Sequence, residues 1–238
     1  MTDPQIKSHG KQEDAIAELG LEKYAYELDM NGLVVVPPEV TGLTEERVDA
    51  LVELLLRRAE ELVGCPFTLE AGPTAELEFP SMPGLQAKAP KPSQTLLQML
   101  ASYDRSFRDL ALNPVALALI RHMIGHDETR FSSHNSFIKW QGEFGYGPTL
   151  GMHCDQGGMP LPWGRNALTA NTNWCLTDYT LEGGAFAYVP GSHHRGSHPV
   201  QPLAVEQAVP CEAKRGSVIV FHGREPLLPL APLHTRSC

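Results

Sequence analysis

The chain changes character near residue 128, and this change limits the folds available to it more than any other feature. Before that point apolar residues recur at three- and four-residue steps, as in helices that pack one face on a core. After it come short runs rich in β-branched and aromatic residues, closely interrupted by glycine and proline. Helices followed by many short strands favour an antiparallel sandwich or barrel with helices outside. We therefore expect one α+β, mainly β domain with a seam at 128.

Individual elements can be placed within this outline. Thr44 can cap a helix that runs to residue 64, and a second helix is expected over residues 113–125. Residues 96–112 are periodic and also predict a helix, whereas the apolar run 33–36 before two prolines predicts a buried strand. Further strands are expected at Phe131–Trp140, Asn171–Tyr179, Ala185–Val189 and Gly216–Phe221.

The same reading divides the chain into four segments. Residues 1–19 predict a frayed tail, residues 20–127 a mostly helical part, residues 128–223 the strands and residues 224–238 a proline-rich tail. All four are expected to belong to a single domain, because 238 residues can bury one full core.

Composition excludes several classes of function. The chain has 19 Lys and Arg against 28 Asp and Glu, a net charge of −9, which argues against a nucleic-acid partner. It has no apolar run near the ~20 residues that a membrane helix needs, and its polar start lacks the apolar centre of a secretory signal. Five scattered cysteines argue against a disulfide framework and favour a reducing compartment. We therefore expect a cytoplasmic protein without a membrane or nucleic-acid partner.

The triplet His153-Cys154-Asp155 carries the most specific chemistry in the sequence. In an extended chain, residues two apart point to the same side, so His153 and Asp155 can offer an imidazole nitrogen and a carboxylate oxygen to one point. This pair is two-thirds of the triad of two histidines and one carboxylate that binds Fe(II) with open positions for other ligands. Cys154 is expected to point away. The alternative is a histidine hydrogen-bonded on a loop.

Further motifs follow the triplet in order: N-W-C-L-T-D-Y-T with E-G-G behind it, V-P-G-S-H, and G-S-V-I-V-F-H-G. With these motifs and their spacing, the sequence resembles the phytanoyl-CoA dioxygenase family, a branch of the Fe(II)/2-oxoglutarate-dependent oxygenases. The opening segment LDMNGLVVVPPEVTGLTEE is also similar to that of the family. The resemblance covers roughly residues 20 to 224.

The resemblance implies a double-stranded β-helix, or jelly roll, related to the cupins, with the N-terminal helices packed outside. It also implies that Fe(II) is held by His153, Asp155 and a later histidine, with 2-oxoglutarate and O2 as co-substrates. Oxidative decarboxylation of 2-oxoglutarate to succinate and CO2 then drives the hydroxylation of a small-molecule substrate. The loop 157–164 would choose that substrate, but it contains no diagnostic residue.

Co-substrate contacts in the family lie on the strand before the triplet and at the tryptophan after it. By position these are Asn135, with Lys139 on the same face, and Trp174. Two other interpretations stay open: Trp174 can be a packed core aromatic, and Lys139 a solvated strand charge. The histidines of the turn at residues 192–198 are expected to shape the rim of the pocket and not to bind the metal.

The sequence departs from the family pattern beyond Phe221. In the family pattern the third iron ligand is a histidine that would fall at position 227, but this chain has Leu227 there. His222 is the nearest histidine that could take its place, and His234 is reachable only if the tail folds back. The arginine that would pair with the distal carboxylate of 2-oxoglutarate has no clear counterpart. Prolines recur every third residue within residues 224–238 and cannot donate to a sheet, so this tail is not expected to form a central strand.

We therefore expect the last strands of the jelly roll to be missing, as a reading-frame change near the end of the coding region would produce. Three functions follow. The first is a dioxygenase impaired by the loss of its third ligand. The second is a non-catalytic jelly-roll binding protein or inactive product, and the third is a cupin-like metal enzyme with a different triad.

Overall fold

The computed structural model describes residues 15–75, 94–140, 152–164 and 166–228. The helices are α1 (Glu22–Asn31), α2 (Pro38–Thr41), α3 (Glu45–Val63), α4 (Leu100–Tyr103), α5 (Arg105–Ala111), α6 (Pro114–Ile124) and α7 (Gln201–Gln207). The strands are β1 (Leu33–Val36), β2 (Phe67–Thr68), β3 (Gly72–Pro73), β4 (Gln94–Leu97), β5 (Ser136–Lys139), β6 (Ala170–Trp174), β7 (Ala187–Tyr188), β8 (Val209–Pro210), β9 (Val218–His222) and β10 (Leu227–Leu228). Single 3-10 turns occupy Asp155–Gly158 and Ser192–Arg195. Across these ranges, none of the helices combines the length and apolar content needed to cross a bilayer.

The central sheet has the antiparallel order β1-β9-β6. Its middle strand, β9, is buried along its whole length, and Val220 pairs with Val34 on one side and Thr172 on the other. Successive side chains of a strand point to opposite faces. Val220 therefore faces one layer, while its neighbours Ile219 and Phe221 face the other.

Helices cover the first face of this sheet. Val34 and Val220 pack in one apolar cluster with Leu28 of α1 and with Leu119 of α6, and Leu119 is completely buried. The amphipathic spacing of these helices directs their apolar sides onto the sheet, so α1 and α6 form an outer layer on this face.

The second face meets a smaller sheet of order β10-β7-β8. Phe221 of β9 lies with Leu227 of β10 and with Phe186 in a separate apolar cluster, and the rings of Phe186 and Phe221 have centroids 5.7 Å apart. Two layers of strands thus enclose an apolar interior, and helices lie outside them. The fold therefore mixes helix and strand, and β2, β3 and β4 lie within the part of the chain that was expected to be mostly helical.

A second helical cluster packs beside this core. The long helix α3 begins after Thr44, whose hydroxyl accepts a hydrogen bond from the Arg47 amide at 3.4 Å, and it ends at Gly64. Its apolar side packs with Ile138 and Trp140 around β5. The predicted cap and end of this helix are confirmed.

The helix predicted over residues 96–112 is wrong in its first part. Residues 94–97 form β4, which pairs antiparallel with β5, and Leu97 is buried in the second helical cluster. Strand pairing with β5 therefore prevails over the helical spacing. Helix α5 begins only after Asp104, whose carboxylate accepts a hydrogen bond from the Ser106 amide at 2.7 Å. The predicted helix 113–125 is confirmed, with Asn113 as its cap.

The proline-rich tail, which was not expected to form a central strand, contributes a short strand at the end of the second sheet. Leu227 and Leu228 form β10, which pairs with β7 on one side, and Leu227 forms a bridge with His153 on the other. Pro226 and Pro229 flank this two-residue ladder, so neither proline has to donate a hydrogen bond within it. Residues 229–238, with His234, lie outside the described residues.

Candidate metal centre

His153 and Asp155 lie side by side at the end of the strand layers. His153 Nε2 is 3.5 Å from Asp155 Oδ1, and the two side chains are 41% and 38% exposed. Between them Cys154 has an extended backbone and is buried, so it points away from the pair. Two ligands about 2.1 Å from one ion, at right angles to each other, are about 3 Å apart. The observed separation therefore suits two neighbouring ligands of one metal ion.

The strand bridge brings Leu227 next to this pair. The His153 amide donates to the Leu227 carbonyl at 3.0 Å, and the Leu227 amide donates to the His153 carbonyl at 2.7 Å. Residues that exchange both backbone hydrogen bonds in an antiparallel pair present their side chains on the same face. The position expected from the sequence for the third ligand is thus the cross-strand neighbour of His153, and a leucine occupies it.

Gly223 anchors the turn that carries Asp155. Its carbonyl accepts a hydrogen bond from the Gln156 amide at 2.7 Å, and its own amide donates to the Thr169 carbonyl at 2.9 Å. Gln156 is completely buried, and its side-chain oxygen accepts a hydrogen bond from the Leu168 amide at 2.9 Å. The end of β9, the start of β6 and the Asp155 turn are therefore held together by backbone contacts.

Asn171 is a residue of this site that the sequence analysis missed. Its side-chain amide donates to Asp155 Oδ2 at 2.9 Å. The signal was present in the sequence: Asn171 and Asn173 alternate with Thr172 and Trp174 along one strand. Polar residues at every second position mark a face that differs from the face of the tryptophan.

His222 lies on the helix-facing side of β9, with Val218 and Val220, and not on the side of Phe221. Its Nδ1 accepts a hydrogen bond from the Arg224 amide at 3.1 Å, and its Nε2 is 3.3 Å from an Arg224 guanidinium nitrogen. Burial, followed by the Arg224 charge, lowers the pKa of His222 to about 3. The structure does not bring His222 to His153 and Asp155.

Over the ranges that the structure describes, no three His, Cys, Asp or Glu side chains are grouped so that they could hold a metal ion. The two donors at His153 and Asp155 fit the chemistry of an Fe(II) site, because imidazole and carboxylate are its usual protein ligands. They would supply two of the three protein ligands of such a site, and Leu227 lies at the position expected for the third.

Of the residues expected to contact the co-substrate, two share a face. Ile138 and Trp140 of the β5 segment pack into the helical cluster, so the alternate residues Asn135 and Lys139 point away from the helices. The Lys139 ammonium donates to the Gly184 carbonyl at 2.6 Å, and burial lowers its pKa to about 8.

Trp174, the third residue expected to contact the co-substrate, points toward the helices and not away from them. It pairs with Val218 in the central sheet and packs against both helical clusters. This is the packing that the alternative interpretation of Trp174, a core aromatic, describes.

The loop 157–164, which was expected to choose the substrate, is held in place at its C-terminal end. The Trp163 indole donates to the Met159 carbonyl at 3.1 Å and packs edge-on against His198, with ring centroids 5.0 Å apart. The Arg224 guanidinium donates to the Gly164 carbonyl at 2.7 Å. Met159 and the neighbouring Leu161 expose apolar side chains to solvent.

Comparison with known proteins finds a curated relative and solved structures of similar fold. A curated relative, dioxygenase af480 of Aspergillus fumigatus, is 33% identical over 137 residues, which are 57% of this chain and 42% of that protein. This chain thus spans less than half the length of that curated relative.

Solved structures support the fold. The carbocyclase SnoK from nogalamycin biosynthesis, described as a non-heme α-ketoglutarate-dependent enzyme, superposes with a TM-score of 0.57 at 20% identity, over 89% of this chain and 78% of SnoK. EvdO2 from Micromonospora carbonacea has a TM-score of 0.55 at 17% identity, over 88% of this chain and 84% of EvdO2. At these identities the likeness concerns the fold.

The family model for phytanoyl-CoA dioxygenase (PhyH) matches residues 28–225, which include most of the helical layer, the central sheet and the His153–Asp155 pair. The chain belongs to the phytanoyl-CoA dioxygenase family.

Proposed function

We propose that this chain is a non-haem Fe(II)/2-oxoglutarate-dependent dioxygenase that hydroxylates a small molecule. The observation that carries the proposal is the pairing of His153 Nε2 and Asp155 Oδ1, 3.5 Å apart and both reachable from solvent. Family membership supports the choice of metal and co-substrate. The two strand layers with outer helices are consistent with a jelly roll whose open end carries the site.

His153 and Asp155 are the two metal ligands in this proposal. His153 would bind through its neutral imidazole, and Asp155 through Oδ1, since deprotonated groups are the ones that bind metals. We assign no ligand role to His222, because both of its ring nitrogens face Arg224. The third protein ligand is replaced by the Leu227 side chain, so the site has weaker metal affinity than a complete triad.

The co-substrate would lie on the face that Asn135 and Lys139 share. An ammonium group held by the Gly184 carbonyl at the edge of the interior can attract a carboxylate of 2-oxoglutarate, and its pKa of about 8 keeps most of it charged at neutral pH. Trp174 would pack between this face and the helices and so help to hold the face in place.

When bound, Fe(II) with 2-oxoglutarate supplies the oxidation of an unreactive C–H bond by O2. The protein's own residues orient the ligands and limit access to solvent. Trp163 and Arg224 hold the loop whose exposed Met159 and Leu161 adjoin the Asp155 turn, and that loop would contact the substrate.

A second candidate is a non-catalytic protein that keeps the fold without a working iron centre. The observation in its favour is Leu227 at the third-ligand position. The two candidates differ in whether the chain takes up metal and turns over 2-oxoglutarate.

Calorimetric titration with Mn(II), which takes the same ligands as Fe(II) and does not support the oxidation, separates the two candidates. We expect uptake of one ion by the full chain and its loss in His153→Ala. We also expect Leu227→His to tighten binding by about tenfold or more, or ~1.4 kcal/mol, because the new imidazole lies on the face of His153. Leu228→His is the matched control, since consecutive residues of a strand point to opposite faces, and it should not tighten binding.

Succinate formation from 2-oxoglutarate, with Fe(II) and O2 supplied, is the second readout. The proposal predicts turnover that is lost in His153→Ala and raised in Leu227→His. Metal uptake without succinate, even in Leu227→His, would favour a metal-dependent enzyme of another type. Absence of both would favour the non-catalytic protein.

A further inference from the structure

The two oxygens of the Asp155 carboxylate have different neighbours. Oδ1 lies 3.5 Å from His153 Nε2, whereas Oδ2 accepts a hydrogen bond from the Asn171 side-chain amide at 2.9 Å. A carboxylate can only accept, so the Asn171 amide must turn its nitrogen toward Oδ2. One oxygen is therefore engaged by the protein, and the other is directed at the point shared with His153.

The backbone fixes both ends of this hydrogen bond. Asn171 pairs with Phe221 in the central sheet, and its neighbour Ala170 pairs with His222. Two residues beyond Phe221, the Gly223 carbonyl accepts the Gln156 amide next to Asp155. Because β9 holds both partners through short backbone links, the distance between Asn171 and Asp155 is set by the sheet.

A carboxylate ligand can bind a metal through one oxygen or through both. Binding through both would occupy a coordination position that a facial triad leaves open for the co-substrate and O2. A hydrogen bond to the second oxygen opposes that mode and orients the first. Partners of this kind commonly affect metal affinity by about 10- to 100-fold.

We propose that Asn171 is a positioning residue that holds Asp155 as a one-oxygen metal ligand. This inference rests on the proposed function, because it assigns Asn171 a role toward the metal at the His153–Asp155 pair. Asn171 acts through Asp155 and is not itself a ligand.

A purely structural role would give a different result from a positioning role. Asn173 lies two residues along the same strand and on the same face, opposite Ile219 where Asn171 is opposite Phe221. Its replacement removes the same amide from the same face without touching Asp155. Asn171→Leu keeps a side chain branched at Cγ, with slightly more volume, and removes the donor, so it separates loss of the hydrogen bond from loss of packing.

The test is Mn(II) titration of the full chain and of three variants, with thermal unfolding midpoints measured alongside. We expect Asn171→Ala and Asn171→Leu to weaken Mn(II) binding by about 10- to 100-fold, and Asn173→Ala to leave it within about twofold. We also expect the visible absorption of the Co(II)-loaded protein, which reports the coordination number, to change in both Asn171 variants and not in Asn173→Ala.

Equal Mn(II) affinity and an unchanged Co(II) spectrum in the Asn171 variants would overturn this inference and leave the proposed function intact. Equal loss in Asn173→Ala would assign the effect to the strand and overturn it as well. If the unsubstituted chain takes up no Mn(II), the proposed function fails, and the role of Asn171 fails with it.

Discussion

Glu225 is a carboxyl group that the fold removes entirely from water. The Ser192 hydroxyl donates to Oε1 at 3.2 Å, and His193 Nδ1 lies 3.5 Å from Oε2. Burial raises the pKa of Glu225 to about 8 and lowers the pKa of His193. The two groups therefore face each other as a mostly neutral pair at pH 7, because desolvation costs each charged form more than their attraction returns.

This pair predicts how stability depends on pH. The folded pKa of Glu225 is above its ordinary value of 4.5, so its contribution is complete below pH 4.5 and is lost as the pH rises toward 8. His193 and His222 have lowered pKa values in the fold and act in the opposite direction until the unfolded chain also loses their protons, about one pH unit above 6.5. We therefore expect the free energy of unfolding, and the thermal midpoint with it, to fall between pH 7 and 8, with a free-energy slope of at most about 1.4 kcal/mol per pH unit.

Glu225→Gln checks this expectation, because the amide keeps the shape of the side chain and does not titrate. Its thermal midpoint should change less than that of the parent over the same pH interval. Parallel curves for the two proteins would show that Glu225 is not the titrating group.

Single residues also show what the sequence could reveal about the site. The pairing of His153 and Asp155 follows from the alternation of an extended chain, and Cys154 is buried as that alternation requires. The expected role of Trp174 rests on its position in the family pattern. Alternation alone does not say which face of β6 meets the helices. Asn171 needs the register of β6 against β9, which depends on contacts distant in sequence.

Among the secondary-structure elements, the junction at Gly223 connects β9, β6 and the Asp155 turn. A Cβ atom added at Gly223 would lie 1.9 Å from the Thr169 hydroxyl oxygen and 2.5 Å from the Thr169 carbonyl oxygen. The backbones approach so closely here that only glycine fits. The same close approach lets Gly223 hydrogen-bond to two segments at once.

Gly223→Ala should therefore disturb the site as well as the fold. We expect a loss of about 1–3 kcal/mol in the free energy of unfolding, as for other overpacked positions, with weaker Mn(II) binding in the protein that remains folded. Chemical denaturation and Mn(II) titration measure the two effects. Gly158→Ala is the control, because a Cβ at Gly158 meets nothing within 4 Å. Equal results for both variants would rule out this role for Gly223.

Elements with local signals were predictable, and those that depend on distant partners were not. The ends of α3 and α6 follow from Thr44, Asn113 and the glycines behind them, which act within one turn of helix. The β4 strand needs β5 as a partner some forty residues later, so its helical spacing misled the prediction. Strand β10 likewise exists through its pairing with β7 and His153.

At the scale of the whole molecule, the central sheet separates two environments. Its helix-facing side packs on α1 and α6, and its other side meets the second sheet, where the candidate metal centre lies at the end of the layers. The helix-facing cluster and the candidate metal centre therefore lie on opposite sides of the central sheet. The sequence predicted this general order of layers, whereas the assignment of each face required the register of the central sheet.

Leu119→Ala tests this separation. Leu119 is completely buried in the helix-facing cluster, so its truncation should cost about 2–5 kcal/mol in the free energy of unfolding. Mn(II) affinity of the folded protein should change little, since the site lies beyond the sheet. Leu112→Ala, at a side chain that is 67% exposed, should change stability by no more than about 0.5 kcal/mol. A large loss of Mn(II) affinity in folded Leu119→Ala would show that the two faces are coupled.

The most direct measurement of the central claim is an anomalous difference map from crystals of the full chain soaked in Mn(II). We predict one strong peak within about 2.2 Å of both His153 Nε2 and Asp155 Oδ1. A map without a peak at that pair, or with its strongest peak at other residues, would contradict the assignment of His153 and Asp155 as ligands of a common metal ion.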